Sequence, residues 1–307
     1  MVELALLLAI TIIMGTTPLG TIRTPFLSIS LVTIPVAIGA ILSVYVHKRR
    51  RIMILAIDVG NTNIVVGCIE DEKILFFERI ATDTLKTELE YAATLNVLFE
   101  LYRIEKSAVT GCIISSVVPP INRTLQMAID KLFGLECMIV GPGVKTGLNI
   151  LMENPAQVGA DLIVNAVAGL HLYGAPLIMI DMGTATTVSV LDQNKNYIGG
   201  MIIPGVRVSL DSLVNRTSQL PKISLDSPKK ILGKNTIDCM KSGIIYSQAA
   251  AIDGIIDRIW EELGYESPVV ATGGLSSKII PQCKHEVTVD NELTLVGLSL
   301  IYEKNKK

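Results

Sequence analysis

The chain has 307 residues with a formal net charge of −2, from 27 Lys and Arg against 29 Asp and Glu, and half of its side chains are apolar. That length and apolar content suit roughly two domains with sizeable cores and exclude wholesale disorder. The near-balanced charge supplies no field for a polyanion, so no nucleic-acid partner is expected. Five scattered cysteines (Cys68, Cys112, Cys137, Cys239, Cys283) and three dispersed histidines (His47, His171, His285) make neither a disulfide framework nor a zinc pattern. They fit a reducing compartment, and a cytoplasmic location is expected.

The mean hydropathy of +0.49 hides a break near residue 52. Residues 4–22 and 24–46 are uncharged and end on Lys48, Arg49, Arg50 and Arg51, which reads as one or two membrane helices with a basic cytoplasmic end. Gly15, Pro18, Gly20, Pro25 and Pro35 interrupt the run, as in a larger multi-helix membrane protein. Residues 6–42 resemble the opening of a substrate-binding component of an energy-coupling-factor vitamin transporter. The extension is expected to be either part of a gene fusion or a stretch upstream of a true start at Met53. Residues 1–52 are expected to be dispensable to the rest, with any membrane contact confined to residues 1–46.

From Met53 the pattern becomes α/β. Strands are predicted at 54–58, 63–69 and 73–80, a helix at 87–103, a strand at 111–116, a helix at 119–133 and a strand at 137–140. The helix at 87–103 carries a stripe of Leu89, Ala92, Ala93, Leu95, Asn96, Leu98 and Phe99, read as core packing. A helix at 155–173 precedes strands at 177–182, 186–191 and 197–202; helices at 206–214 and 237–263, a strand at 269–271 and a helix at 292–303 complete the chain. The last helix is expected to return to the first domain or to the cleft.

One short pattern occurs twice. Ile54-Leu55-Ala56-Ile57 runs into Asp58-Val59-Gly60-Asn61-Thr62-Asn63, and Leu177-Ile178-Met179-Ile180 runs into Asp181-Met182-Gly183-Thr184-Ala185-Thr186, 123 residues later. A period that long indicates a duplicated domain rather than a solenoid. Each copy reads as a hairpin: an acidic residue at the strand end can hold Mg²⁺ or its waters, glycine brings backbone N–H groups close to an anion, and Thr and Asn add neutral donors. Two such turns facing each other would grip a nucleotide triphosphate with its cation; either alone is an ordinary turn. The chain contains no G-x-x-x-x-G-K-[ST] and no G-x-G-x-x-G opening a helix after a strand. Asp161 precedes an apolar helical run and reads either as a general base or as that helix's N-cap.

The doubled Asp-x-Gly hairpin is the mark of the actin-like, sugar-kinase-like ATPase superfamily, and from Met53 to about Glu303 the chain resembles a type III pantothenate kinase. The resemblance implies two ribonuclease-H-like domains around a nucleotide cleft, residues 53–165 and 166–307, the second with the C-terminal helix. It implies ATP-dependent phosphorylation of pantothenate at its primary hydroxyl, the first step toward coenzyme A. Asp58, Val59, Gly60, Asn61, Thr62, Asn63, Ile64 and Val65 match the first phosphate motif, with Asp58 holding Mg²⁺ through water, and Thr184 in the second motif contacts ATP. Asp181 is implied to ligate K⁺ or NH4⁺. Gly159, Ala160, Asp161 and Leu162 match the substrate motif, Asp161 being the base.

Gly199-Gly200, Pro204-Gly205 and Thr272-Gly273-Gly274 resemble nucleotide-side loops. Gly233-Lys234-Asn235-Thr236 resembles the element by which Thr236 reaches the pantothenate pocket of the neighbouring subunit of a homodimer. The chain departs from the family at Leu162, where Arg is usual, and at Met152, where Tyr is often found. Both usual residues are associated with holding pantothenate, and Leu cannot pair with a carboxylate as Arg can. These departures motivate the alternative of a non-catalytic ATP- or pantothenate-binding regulator on the same fold.

Overall fold

The computed structural model describes residues 21–23, 28–30 and 52–306. Met1–Arg51 and Ile52–Lys307 are separate compact units. In the first, strand β1 (Thr21–Arg23) pairs antiparallel with β2 (Ser28–Ser30), Ile22 opposite Ile29. At those positions the chain is strand rather than the expected helix. The other residues of the two expected membrane helices, and the basic cluster after them, lie outside the described residues. Among the described residues no helix is long and apolar enough to cross a membrane.

The second unit is built on two mixed sheets of the same plan. In the first, β3 (Met53–Val59), β4 (Asn63–Glu70) and β5 (Lys73–Ala81) form an antiparallel meander, and β6 (Val109–Ser116) and β7 (Cys137–Ile139) add parallel to β3, giving the order β5-β4-β3-β6-β7. The second repeats this with β9 (Leu177–Met182), β10 (Ala185–Leu191), β11 (Asn196–Pro204), β12 (Val269–Thr272) and β13 (Thr288–Val289), plus β8 (Asn149–Ile150) beside β11. The repeat extends to register: Asp58 lies opposite Ser115 on β6, and Asp181 opposite Thr272 on β12. The two-residue strands β8 and β13 were not predicted, being too short to show an alternation.

Side chains alternate across a strand, and this decides which helices each face accepts. Leu55, Ile57 and Val59 bury against α1 (Glu88–Leu101) and α2 (Pro119–Phe133). A capping box between Thr87 and Glu90 starts α1. Its buried stripe is Tyr91, Ala92, Leu95, Leu98 and Phe99, so the predicted stripe is corrected at Leu89, which is 63% exposed, at Ala93, which is also exposed, and at the half-buried Asn96. Pro119 and Pro120 open α2, where a missing N–H costs nothing, and left-handed Gly134 ends it.

The opposite face, with Ile54 and Ala56, packs on α3 (Ala160–Leu172) and α7 (Leu293–Asn305). The final helix thus does return to the first sheet. Helix α3 serves both sheets: Val164 and Val167 join Ile54 and Ile113, while Ala166 and Ala168 join Leu177 and Met179 of β9. It crosses α7 where a Cβ on Gly297 would run into the Val164 carbonyl, so the close approach requires glycine. The far face of β9 packs on α4 (Val206–Asn215) and α5 (Thr236–Leu263), with the short α6 (Ser276–Ile279) beside them.

Candidate active site

Asp58 continues the Ile54, Ala56 row and Asp181 the Leu177, Met179 row, so both carboxylates point to the faces that carry α3. Asp161 sits in the first turn of that helix. Three acidic groups far apart in sequence are thereby brought into electrostatic contact. The N-cap is Gly159, so the reading of Asp161 as the cap is corrected. The predicted start at 155 is also corrected: Pro155–Gln157 form a separate 3-10 turn. Asp161 instead accepts the Leu162 N–H at 2.9 Å through Oδ1, and its carboxylate folds back over Gly159, where a Cβ would collide with it.

The first hairpin turn is braced from β5. Gly60 N–H donates to Asn63 O at 3.0 Å, Thr82 N–H to Thr62 O at 3.0 Å, and Thr82 Oγ1 to Gly60 O at 2.7 Å. Val59 and Ile64 are buried, so they offer a ligand only their backbone, whereas Asn61, Thr62 and Asn63 are exposed. The two turns meet: the Thr62 and Thr184 hydroxyl oxygens are 2.7 Å apart.

Asp181 is fixed by a buried relay. Asn165 Nδ2 donates to Asp181 Oδ2 at 3.1 Å, and Thr294 Oγ1 donates to Asn165 Oδ1 at 2.8 Å. Its other oxygen lies beside Gly273, whose φ of +95° and contact with Met182 N leave no room for a Cβ. Thr294→Val should therefore leave the Asn165 carbonyl unpartnered and lower stability by about 1–3 kcal/mol in urea unfolding. Asn165, Thr294 and the bracing Thr82 were not singled out from sequence. Asn165 was detectable as a polar side chain inside the apolar run of α3.

Burial, reinforced by Asp161 and Asp181, pushes the Asp58 carboxyl up to about 7, and Ser115 offsets part of this. Burial and Asp161 push Asp181 up to about 6, against the pull of Asn165 and Arg79. Burial raises Asp161 as well, opposed by backbone N–H groups at the helix start. The protein only partly compensates the ionised forms of these carboxyls, so a bound cation would favour their ionisation. Among the described residues no three His, Cys, Asp or Glu side chains could hold an ion by themselves. Asp58 and Asp181 offer the carboxylate oxygens that Mg²⁺ takes in ones or twos, with water and phosphate oxygens completing its shell.

Leu162 lines a small cavity with Asn165, Asp181, Thr187 and Ser189. Met152 is 38% exposed. Thr236 is not bonded to the residues around Asp161. It opens α5, exposed, behind the Asn235 cap, which accepts the Asp238 N–H at 2.9 Å. Beside it an open hollow of about 460 Å³ is lined by Ile231, Leu232, Gly233, Cys239, Gly243 and Tyr246, among others.

The family model for type III pantothenate kinase matches residues 54–258. The type III pantothenate kinase of Halalkalibacterium halodurans is 47% identical over 253 residues, covering 82% of this chain and 100% of that protein. Among solved structures, component A of (R)-2-hydroxyglutaryl-CoA dehydratase from Acidaminococcus fermentans superposes with a TM-score of 0.51 at 15% identity, over 82% of this chain and 98% of its own, a likeness of fold alone. These comparisons do not support the transporter-like resemblance of residues 6–42. With the family model on more than half of the chain and a relative matched over its whole length, the chain belongs to the type III pantothenate kinase family, on the actin-like ATPase fold.

Proposed function

We propose that this pantothenate kinase transfers the γ-phosphoryl group of ATP to the primary hydroxyl of pantothenate at the junction of its two hairpin turns. One observation carries the reading: the Thr62 and Thr184 turns meet at 2.7 Å directly beside a cluster of three acidic groups. In this reading the two sheets belong to ribonuclease-H-like domains, residues 53–165 and 166–307, with ATP between them. Phosphoryl transfer needs mainly positioning and charge neutralisation. The turn backbones with Asn61, Thr62 and Thr184 donate hydrogen bonds to the phosphates, and Asp58 would hold Mg²⁺ through water. Asp181, oriented by Asn165, would ligate K⁺ or NH4⁺. Bound Mg²⁺ would supply charge neutralisation to the phosphoryl group being transferred. Asp161 accepts the hydroxyl proton as that oxygen attacks, its raised proton affinity bringing it nearer neutrality than an ordinary carboxyl.

Pantothenate is held along Gly159, Ala160 and Leu162, and by Thr236 of a second subunit. The exposed Ile231 (64%) and Leu232 (80%) beside the open hollow support a homodimer, and five free cysteines support a reducing, cytoplasmic location. The test is ADP release by the full chain with Mg-ATP, with and without pantothenate, in potassium and then sodium buffer. Pantothenate-dependent, potassium-requiring ADP is expected. ATP binding without such ADP would favour the regulator reading motivated by Leu162.

A further inference from the structure

Arg79 is tied to the carboxylate cluster by sheet register. Residues directly opposite across strands point to the same face. Arg79 on β5 lies opposite Val65 on β4, Val65 opposite Asp58 on β3, and Asp58 opposite Ser115 on β6. One row thus carries the guanidinium and the Asp58 carboxylate on the face toward α3. From there the side chain reaches across to the other sheet's loop. Its Nη1 stands 2.9 Å, and its Cζ 3.6 Å, from where a Cβ on Gly274 would be, so glycine is what admits it. Gly274 follows Gly273, which packs on Asp181.

The guanidinium is committed to nothing else. Among the described residues it donates to no protein acceptor and lies within 4.0 Å of no carboxylate, and it is exposed. Its charge nevertheless acts on Asp181. A planar fork of five donors with no protein partner, set against the Gly273-Gly274 loop that packs on Asp181, is suited to anionic oxygens on a ligand.

We propose that Arg79 binds the terminal phosphoryl group of ATP and stabilises the charge on it during transfer, a role resting on the assignment of the nucleotide to the junction of the two turns. The exposed residue opposite Thr187 in the second sheet, where the plan of the first would place an arginine, is Ile202. The duplicated frame therefore supplies this cation from one side only. Gly274 and Arg79 work as a pair, the first leaving the space that the second fills.

The experiment compares Arg79→Met, Arg79→Lys, Gly274→Ala and Asp161→Asn in the full chain, measuring kcat and the KM values for ATP and pantothenate. Thermal denaturation serves as the folding control. For Arg79→Met a fall in kcat of roughly 10²–10³-fold is expected, as for loss of one preorganised donor at a transition state. Pantothenate KM should be unchanged, and Lys should recover part of the loss by restoring charge without the fork. Gly274→Ala, which keeps the arginine but crowds its guanidinium, should lower kcat in the same direction.

An anionic partner could instead be the pantothenate carboxylate. Pantothenol, which lacks it, separates the two. If Arg79→Met raised only pantothenate KM and had no effect with pantothenol, the arginine would serve that carboxylate and the proposal would be overturned. Folded Arg79→Met with wild-type kcat would overturn it too. Should Asp161→Asn be inactive in that case, the site assignment would survive. Should Asp161→Asn also turn over normally, the site assignment itself would fail.

Discussion

Asp161→Asn should lower kcat roughly 10²–10⁴-fold, the usual contribution of a positioned general base, with little change in folding or in ATP affinity. The amide keeps the size of the carboxyl and can still accept the Leu162 N–H through its oxygen. It cannot take the proton of an attacking hydroxyl. Because burial already raises the Asp161 carboxyl, exchanging it for a neutral group removes a desolvation cost and should not weaken the fold. A purely structural Asp161 would give the opposite pattern: lower melting temperature with kcat per folded molecule preserved. Steady-state ADP release alongside a thermal melt separates the two.

The second large effect is on stability against pH. Asp58 is raised from 3.8 to about 7 in the folded chain. Between those values the unfolded chain has released a proton that the folded chain retains, so the group's contribution to stability falls as pH rises, and the full penalty is present above about 7. Asp181, raised to about 6, acts in the same sense. Asp58→Asn removes the Asp58 contribution. The ligand-free variant should therefore be more stable than wild type at pH 8, and the gap should shrink by on the order of 3 kcal/mol at pH 5, at about 1.4 kcal/mol per pKa unit. Mg-ATP should close the gap from the other side, since a cation favours the ionised carboxylates. The same variant should lose much of its nucleotide-induced stabilisation. Melting curves from pH 5 to pH 8, with and without Mg-ATP, check both parts. A wild-type stability that rose with pH relative to Asp58→Asn would contradict the buried acidic cluster.

The parts of this molecule legible in sequence are those set by local periodicity. Strand runs such as Leu177-Ile178-Met179-Ile180 and the repeated Asp-x-Gly turn gave away the duplicated frame, and the structure adds that the copies share strand order and register. What stayed hidden depends on tertiary pairing. Asn165, Thr294 and Arg79 matter because α3, α7 and β5 bring them to Asp181 and Gly274, and no local pattern records that. The two-residue strands β8 and β13 exist only because a neighbouring strand pairs with them. The cap reading of Asp161 failed through a shift of two residues: the helix begins at Ala160, with Gly159 as its cap. The transporter resemblance rested on composition alone over residues 6–42. Apolar runs punctuated by Gly and Pro are too common to identify a family.

The central claim is that the two turns grip one triphosphate. It is tested most directly by a crystal structure of the full chain with Mg²⁺, pantothenate and a non-hydrolysable ATP analogue. The triphosphate is expected between Asp58–Asn63 and Asp181–Thr187, with the Thr62–Thr184 hydrogen bond replaced by contacts from both hydroxyls to phosphate oxygens. The primary hydroxyl of pantothenate is expected within hydrogen-bond distance of Asp161. A nucleotide bound elsewhere, with the threonine pair still joined and Asp161 out of reach of the acceptor hydroxyl, would contradict the account.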